Sequence, residues 1–294
     1  MIIFDFNQII ISNIMSQQGE YKQVGLSEDL LRHTILNQIR ANLVKFKGEW
    51  GPEVVIACDD KRSWRKDIFP YYKANREKDR SSSSFDWTLI FETLKRMEGE
   101  LRDHFPYIVL HIPGAEADDI IGVLVGHKCG CGLYSSLPEG ILVISSDRDF
   151  RQLQVHPNVK QWSPLDKKFI VEEDPVAYLK EHIIRGDKRD GVPNILSSDS
   201  CLVMKQRQKS VTAPKLEEWL RDGVDLTDEV LGHRWRRNER MIDLQEIPHT
   251  ISEAILQAYH QEKAVKKIKA GGDVWGYFME NNLKNLMGEI GDFL

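Results

Sequence analysis

The alternation of hydrophobic and polar positions predicts an α/β protein. Several short apolar runs are rich in β-branched residues and bounded by polar ones, a pattern typical of buried parallel strands. Between these runs, apolar residues recur at the spacing of amphipathic helices. The predicted strands are 1–4, 54–58, 107–112 and 141–144, and the predicted helices are 26–47, 85–104 and 116–125. The pattern therefore predicts a mostly parallel central sheet flanked by helices.

The pattern changes in the last part of the chain. Beyond Asp174 the strand-like runs stop and helical periodicity dominates. We therefore divide the chain near residue 180, into an α/β domain over residues 1–180 and a helical region over residues 181–294.

Acidic residues follow the ends of the predicted strands. Asp5 and Asp59 come just after two of the apolar runs, and Asp147 comes just after another. Because the carboxyl ends of parallel strands meet at one edge of a sheet, we expect these carboxylates to share a pocket. Two carboxylates about 4 Å apart repel by roughly 4 kcal/mol at an effective dielectric of about 20, and divalent cations relieve that repulsion. Oxygen ligands without a His or Cys cluster favour Mg²⁺ or Mn²⁺ over Zn²⁺.

Further acids extend this set, although each has a simpler explanation. Glu116, Asp118 and Asp119 open a predicted helix, where carboxylates also stabilise the helix dipole. Three acids within four positions exceed what capping requires, so we assign them to the same pocket. Asp149 follows in the same turn as Asp147, where a helix cap is again the alternative. The scattered histidines, His182 among them, lie on or near apolar segments, and we assign them no chemistry.

A basic segment with interleaved aromatic residues spans residues 61–80. The net charge of the chain is −5, but overall charge says little about a partner when one site holds many acids. Basic residues mixed with aromatic ones suit phosphate contact and base stacking. A solvated basic helix face is the alternative, and the position of the segment directly after Asp59 favours nucleic acid. The serine run at 81–84 predicts flexible chain.

Composition and motifs exclude several other classes of protein. The chain has 294 residues, of which 41% are hydrophobic, so it can bury a sizeable core. No apolar run approaches the roughly 18 residues of a membrane span, and the amino terminus enters a predicted strand rather than a signal peptide. We therefore expect a cytoplasmic protein without a membrane partner. The chain has neither the phosphate loop of nucleotide hydrolases nor the nucleophile elbow of esterases.

Ordered motifs along the whole chain resemble those of a known family. They are IIFDFNQ at 2–8, WRKDIFPYYKANR at 64–76, EADDII at 116–121, ISSDRDF at 144–150, PNVKQWSP at 157–164 and GDKRD at 186–190. With them the chain resembles the 5' nuclease family, which includes flap endonucleases, and most closely its ribonuclease H branch from T-even bacteriophages. The resemblance implies a PIN-like 5' nuclease fold, with a helix-hairpin-helix-like element in the C-terminal region.

The resemblance also implies two metal sites. The first would be lined by Asp5, Asp59, Asp118 and Asp147, with Glu116 nearby. The second would be lined by Asp149, Asp187 and Asp190. Asp119 matches an acid used by some relatives. Two Mg²⁺ ions, with Mn²⁺ as a substitute, are the implied cofactors. After GDKRD the chain lacks the glycine-rich hairpin of many relatives, so a monovalent-ion site is not implied.

The basic residues receive their roles from the same resemblance. Lys73 and Arg76 match residues that contact the scissile phosphate, and Tyr72 is placed to stack on a base. The segment 71–84 resembles the mobile bridge over the family's active site. Further candidate nucleic-acid contacts are Arg65, Lys66, Lys188 and Arg189. Lys205, Arg207 and Lys209 are candidates to replace the phosphate contacts of the absent hairpin, and a solvated basic loop is the alternative.

The implied activity is two-metal hydrolysis of phosphodiesters, as a 5' to 3' exonuclease and flap endonuclease that removes RNA primers and adjacent DNA from lagging-strand fragments. The implied substrates are 5' ends of DNA and of RNA-DNA hybrids, in flaps or forks. We expect a monomer. The resemblance implies contacts with single-stranded-DNA-binding protein and sliding clamp. The apolar residues near the C-terminus, such as Phe278, are candidates for these contacts, and packing on the chain's own core is the alternative. Two alternatives stay open, a PIN-type metal-dependent endoribonuclease and a catalytically inactive nucleic-acid-binding scaffold.

Overall fold

A six-stranded sheet forms the centre of the protein in the computed structural model, which describes residues 1–17, 19, 25–76, 80, 83, 85–129, 140–269 and 273–294. Its strands are β1 (Ile2–Asp5), β2 (Val54–Cys58), β3 (Ile108–His111), β4 (Ile141–Ile144), β5 (Val159–Ser163) and β6 (Lys168–Ile170). They lie in the order β3-β2-β1-β4-β5-β6, and every neighbouring pair is parallel except β5 and β6. The predicted α/β class with a mostly parallel sheet is confirmed.

Helices connect and cover these strands. The N-terminal helices are α1 (Phe6–Ser16), α2 (Glu28–Trp50), α3 (Trp64–Ile68), α4 (Trp87–His104) and α5 (Ala117–Cys129), followed by a 3-10 helix at Asp149–Val155. The C-terminal helices are α6 (Pro175–Arg185), α7 (Ala213–Asp222), α8 (Glu229–Ile242), α9 (His249–Lys269), α10 (Val274–Glu280) and α11 (Lys284–Met287), with a 3-10 helix at Ile290–Asp292. Strand β5 and helix α8 were not predicted because their side chains are largely polar. Helix α1 was also missed, because it continues the apolar run of β1.

Alternate residues of the strands enter two hydrophobic cores, because successive side chains of a strand point to opposite faces of the sheet. Ile2 and Phe4 of β1 pack with residues of α2 and α4 on one face. Ile3 packs with residues of α5 on the other face. Both faces of the sheet are therefore covered, which explains why its central strands are almost entirely apolar.

The C-terminal helices contribute to both cores. Phe278 and Phe293 lie in the core on the α2 side, whereas Ile255 and Tyr259 of α9 lie in the core on the α5 side. The apolar residues near the C-terminus thus pack on the protein's own core. The C-terminal region is helical, as predicted, while its division from the α/β part near residue 180 stays a prediction.

The strand order positions a crevice beside β1. From β1 the sheet extends through β2 and β3 on one side and through β4 and β5 on the other, so the connections diverge at the carboxyl ends of β1 and β4. Ligands of open α/β sheets bind at such a point. Among the residues described, no helix is both long and apolar enough to cross a membrane.

Candidate active site

The acids that follow β1, β2 and β4 meet at the carboxyl edge of the sheet. Asp5 is 3% exposed, and its Oδ2 accepts a hydrogen bond from Ser145 Oγ at 2.8 Å. Asp59 Oδ1 accepts a hydrogen bond of 2.8 Å from the backbone N–H of Ala117, at the start of α5. The charges of Asp59 and Asp147 both act on Asp5. The structure thus brings these carboxylates together where the sheet pattern predicts them.

These carboxylates repel one another in a buried setting. Burial, and then the charges of Asp59 and Asp147, raise the pKa of Asp5 well above its usual value. Burial and the charges of Asp147 and Asp5 raise the pKa of Asp118 in the same way. Buried negative charge that the protein leaves uncompensated is stabilised by a divalent cation. The donor set of Asp5, Asp59, Asp118 and Asp147 therefore fits a hard cation such as Mg²⁺.

Three polar side chains hold the turn after β4, and none of them was given a role from the sequence. Gln8 Oε1 accepts a hydrogen bond from the N–H of Ser146 at 3.2 Å. Gln161 Nε2 donates to the carbonyl oxygens of Ser145 at 3.0 Å and Asp147 at 2.5 Å, and Ser145 Oγ accepts from the N–H of Asp147 at 3.0 Å. Gln8 and Gln161 both lie within the ordered motifs, so motif membership was the available signal.

A second group of ligand atoms lies beside the first and includes a histidine. Of the residues that the structure describes, Asp149, His182 and Asp187 bring three ligand atoms within 4.8 Å of one another. Burial, and then the charge of Asp147, raise the pKa of Asp149 to about 8. From the sequence we gave His182 no chemistry, and the structure places its ring, on the last turn of α6, between the two carboxylates. The sequence signal was its position four residues before the start of the GDKRD motif.

Glu116 is the hub of a buried network of ionic and polar groups. Its Oε2 accepts hydrogen bonds from Ser63 Oγ at 3.0 Å, Arg65 at 3.1 Å and Tyr72 Oη at 2.9 Å, and its Oε1 lies 2.5 Å from Lys73 Nζ. Burial acts to raise the pKa of Glu116, but the charges of Lys73 and Arg65 outweigh it and lower the pKa to about 2. The protein itself thus compensates this carboxylate, unlike Asp5 and Asp118.

Asp119 and Arg65 form a structural ion pair, which corrects the roles implied for both. Arg65 lies 2.8 Å from Asp119 Oδ1, and the two side chains are 2% and 0% exposed. Asp119 Oδ2 also accepts hydrogen bonds from Trp64 Nε1 at 3.1 Å and from the N–H of Glu116 at 2.8 Å. An acid so fully engaged is unsuited to bind metal, and an arginine buried this deeply is unsuited to contact a phosphate.

Tyr72 also departs from its implied role. The residue is 2% exposed, and its hydroxyl donates within a network that includes Glu116 and Asp190 Oδ2, the latter at 3.0 Å. Its ring packs in a small core with Phe69 and Ile183. A ring in this position is covered on its faces, so it does not offer a stacking surface for a base.

Lys73 and Arg76 converge on Asp190. Lys73 Nζ lies 3.5 Å from Asp190 Oδ2, and Arg76 lies 2.5 Å from Asp190 Oδ1. Burial acts to lower the pKa of Lys73, but the charges of Asp190, Tyr72 and Glu116 raise it, so Lys73 is an ammonium ion. Asp190 therefore pairs with these two cations, while its charge also acts on Asp149, and its grouping with Asp149 and Asp187 stays a prediction.

The backbone also holds the segment around Lys73 against the segment around Asp190. Lys73 has a φ of 54°, a left-handed conformation that non-glycine residues rarely adopt, and its N–H donates to the carbonyl of Asp190 at 2.7 Å. Gly191 has a φ of 75°, and a Cβ there would meet the carbonyl oxygen of Tyr71 at 2.6 Å. The predicted mobility of segment 71–84 stays a prediction, because residues 77–79, 81, 82 and 84 lie outside the described residues.

A groove of about 1080 Å³ is lined by Asp147 and Asp149 and by residues of the segment 186–211, including Asp187 and Asp190. The cationic residues that line it are Arg76, Arg148, Arg151, Arg185, Lys188, Arg189, Arg207 and Lys209. The implied contacts Lys66 and Lys205 are exposed but lie outside its lining. Segment 186–212 between α6 and α7 is irregular, and the helix-hairpin-helix description of it stays a prediction.

His111 supports the loop behind Asp59 and carries a pH-dependent prediction. Its Nδ1 lies 2.6 Å from Glu98 Oε1 and its Nε2 lies 3.2 Å from Asp60 Oδ1. The hydrogen bond with Glu98 raises the pKa of His111 above 6.5. Because the pKa of His111 is higher in the folded protein than in the unfolded chain, protonated His111 stabilises the fold. This stabilisation is fully present below pH 6.5 and is lost as the pH rises through the folded-state pKa.

We therefore expect His111→Gln to destabilise the protein more at pH about 6 than at pH about 9. Urea unfolding at the two pH values measures the difference, with His249→Gln, an exposed histidine on α9, as the control. An equal loss of unfolding free energy at both pH values would contradict the assignment of a charged His111.

Comparisons with known proteins agree with this geometry. A family model described as the 5'-3' exonuclease N-terminal resolvase-like domain matches residues 27–182, and one described as the T4 RNase H C-terminal domain matches residues 176–293. Ribonuclease H of Enterobacteria phage T4 is 34% identical to the chain, with 99% of this chain and 95% of that protein covered. The chain belongs to the 5'-3' exonuclease family. It is a metal-dependent 5' nuclease with the 5'-3' exonuclease and flap endonuclease function of that family, as the resemblance implied.

More distant relatives show the same relationship. Flap endonuclease Xni of Shewanella sp. (strain ANA-3) is 26% identical over 48% of this chain and 52% of its own length. The T5 5'-exonuclease with bound zinc matches with a TM-score of 0.64 at 14% identity, over 90% of this chain and 99% of that one. A T5 flap endonuclease complex with DNA and metal ions matches with a TM-score of 0.60 at 15% identity, over 90% and 98% of the two chains. These likenesses show that this 5' nuclease has the resolvase-like PIN fold.

Proposed function

We propose that this 5' nuclease removes RNA primers and adjacent DNA from the 5' ends of lagging-strand fragments, with two Mg²⁺ ions as cofactors and Mn²⁺ as a substitute. The single observation that carries the proposal is a cluster of buried, mutually repelling strand-end acids, one of which, Asp147, lines a groove together with Arg76 and other cationic residues. A groove that combines metal-binding acids with phosphate-binding cations suits a polyanionic substrate. DNA and RNA-DNA 5' ends, flaps and forks are the proposed substrates.

Two groups of residues would hold the cations. Asp5, Asp59, Asp118 and Asp147 would hold the first, and Asp149 and Asp187 would hold the second. When bound, the cations lower the pKa of a water molecule and neutralise the attacking and leaving oxygens. The hydrogen bonds from Ser145 and from Ala117 N–H keep the carboxylates of Asp5 and Asp59 oriented before substrate arrives.

Lys73 and Arg76 would neutralise negative charge on the scissile phosphate. Without substrate, both pair with Asp190, and a phosphate entering the groove would exchange for that carboxylate as their partner. The charges of Asp190, Tyr72 and Glu116 keep Lys73 protonated, and the ion pair with Glu116 fixes it beside the acids. Cations fixed in advance near developing charge stabilise a transition state more than a ground state.

Contacts with other replication proteins are a further part of the proposal. On the resemblance of the motifs we propose single-stranded-DNA-binding protein and sliding clamp as partners, and we also propose a monomeric enzyme with a cytoplasmic location. Because Phe278 and Phe293 are buried in the chain's own core, a partner would bind other residues of the C-terminal region.

The direct test is cleavage of a 5'-labelled DNA flap and of a nicked RNA-DNA hybrid, with Mg²⁺ or with a chelator. We expect Mg²⁺-dependent release of short 5' products from both substrates. Cleavage of the flap but not of the hybrid would overturn the proposed primer removal. Activity that survives the chelator would overturn the metal assignment.

The same assay separates the alternatives. A PIN-type endoribonuclease would cut single-stranded RNA internally and leave flap DNA intact, whereas an inactive scaffold would bind DNA without turnover. The match of the T4 RNase H C-terminal domain over residues 176–293 favours the 5' nuclease over a PIN-type enzyme.

Lys73→Met is expected to reduce kcat by about 10² to 10³-fold with little change in substrate binding, because the ammonium acts mainly on the transition state. Single-turnover cleavage and binding titrations measure the two effects separately. Lys284→Met is the matched comparison, since Lys284 is exposed on α11 and has no proposed contact with the acids or with the substrate. A Lys73→Met enzyme that binds weakly but cleaves at the normal rate when saturated would contradict this role.

A further inference from the structure

We propose that His182 supplies a nitrogen ligand to the second cation, beside Asp149 and Asp187, so that this site favours Mn²⁺ or Co²⁺ over Mg²⁺. The inference rests on the proposed two-metal function and revises the metal proposed for the second site, since the residues implied for that site were aspartates alone. It changes the chemistry of the second site from all-oxygen to mixed nitrogen and oxygen.

The position of the His182 ring carries the inference. Its Nδ1 lies 3.5 Å from Asp149 Oδ1, and its Nε2 lies 3.4 Å from Asp187 Oδ2. Ligand atoms that share a small divalent cation at about 2.1 Å lie roughly 3 to 4 Å apart. One ring nitrogen binds a given cation, and the structure places one ligand atom from each of the three residues within 4.8 Å of the other two. Small rotations of the side chains would bring these atoms to the spacing of roughly 3 to 4 Å without a change in the backbone.

The hydrogen bonding of His182 leaves room for a ligand. Its side chain is 13% exposed, and within the described part of the chain its buried Nδ1 has no hydrogen-bond partner. A buried ring nitrogen is normally hydrogen-bonded, whereas this one faces Asp149 Oδ1 at 3.5 Å without a hydrogen bond, an arrangement that suits a cation shared by the two atoms. Of the carboxylates implied for this site, Asp190 is instead engaged by Lys73 and Arg76.

The ring is also held in a fixed orientation. Tyr178, one turn earlier on α6, packs edge-on against it with ring centroids 5.7 Å apart. The Tyr178 hydroxyl donates to the carbonyl of Arg148 at 3.1 Å, which ties α6 to the turn that carries Asp147 and Asp149. The ligand atoms thus come from two elements that are tied to each other, as a preorganised site requires.

The chemistry predicts a change in metal preference. Imidazole binds transition metals such as Co²⁺ and Zn²⁺ well, whereas Mg²⁺ prefers oxygen ligands and water, and Mn²⁺ lies between these two groups. The first site, with carboxylates alone, would keep the preference for Mg²⁺. Two adjacent sites of different preference would allow a mixed-metal enzyme.

Electron spin-echo spectroscopy of the Mn²⁺-loaded protein tests the inference directly, because it detects nitrogen bound to manganese. We expect ¹⁴N modulation in the wild type, its replacement by a ¹⁵N signal after labelling with ¹⁵N-histidine, and its loss in His182→Gln. His249→Gln, which changes an exposed histidine, should keep the modulation. The isotope experiment needs no variant, so a folding defect in His182→Gln would not leave the question open.

Bound Mn²⁺ without nitrogen modulation in the wild type would overturn the inference, while flap cleavage by the same sample would leave the proposed function intact. Metal titrations add a second criterion. If His182 is a ligand, His182→Gln should weaken the binding of Co²⁺ by about tenfold or more and the binding of Mg²⁺ by distinctly less. An equal loss for both ions in His182→Gln would show that the ring only positions the carboxylates.

Discussion

Asp147→Asn is expected to abolish cleavage, by at least about 10³-fold, while the protein still binds DNA 5' ends. A metal contributes several kcal/mol of transition-state stabilisation, and each 1.4 kcal/mol or so changes the rate about tenfold. Asp147 Oδ1 accepts a hydrogen bond from the N–H of Asp149 at 3.0 Å, and an asparagine carbonyl can accept it equally well. The substitution therefore removes charge from the proposed first metal site without disturbing the turn.

Single-turnover cleavage of a labelled flap, next to a binding titration, measures both parts of this expectation. Asp118→Asn should behave in the same way, because Asp118 shares the charged pocket with Asp147. Asp103→Asn makes the same chemical change at an exposed position of α4 and should leave turnover unchanged. Normal cleavage by Asp147→Asn would remove the strand-end acids from the proposed mechanism.

Arg65→Met is expected to have the largest effect on stability, a loss of about 3 to 5 kcal/mol in the free energy of unfolding. The guanidinium lies 3.1 Å from Glu116 and 2.8 Å from Asp119, and it also donates to the carbonyl of Met241 at 3.0 Å. Without Arg65, the buried Asp119 carboxylate loses its cation, and an unpaired buried charge is strongly destabilising. The Met241 carbonyl in α8 would also lose a buried hydrogen bond.

Urea unfolding followed by circular dichroism measures this loss, with Arg62→Met as the control at an exposed position nearby. The same experiment separates a structural arginine from a phosphate contact. A contact with phosphate alone would weaken DNA binding and leave the unfolding free energy within about 0.5 kcal/mol of the wild type.

The sequence alone determined strands β1 to β4 and the place of the acids that follow them. The apolar runs at β1, β2 and β4 are buried on both faces of the sheet, so their composition identifies them without knowledge of the rest of the fold. Because parallel strands end at one edge, the acids that follow them had to converge there. Asp5, Asp59 and Asp147 could therefore be assigned to one pocket from local pattern and general geometry.

Only the tertiary structure decided which charged residues compensate one another. Glu116, Asp118 and Asp119 are neighbours in sequence, yet Arg65 and Lys73 neutralise Glu116 and Asp119, while Asp118 faces the other acids. The direction of each side chain depends on the helix rotation and on partners more than 40 residues away, as for Lys73 and Glu116. His182 likewise looked like a surface or core residue in its own helix, because the carboxylates that give it a role come from other segments. Pairing of buried charges is a property of packing, which no local pattern contains.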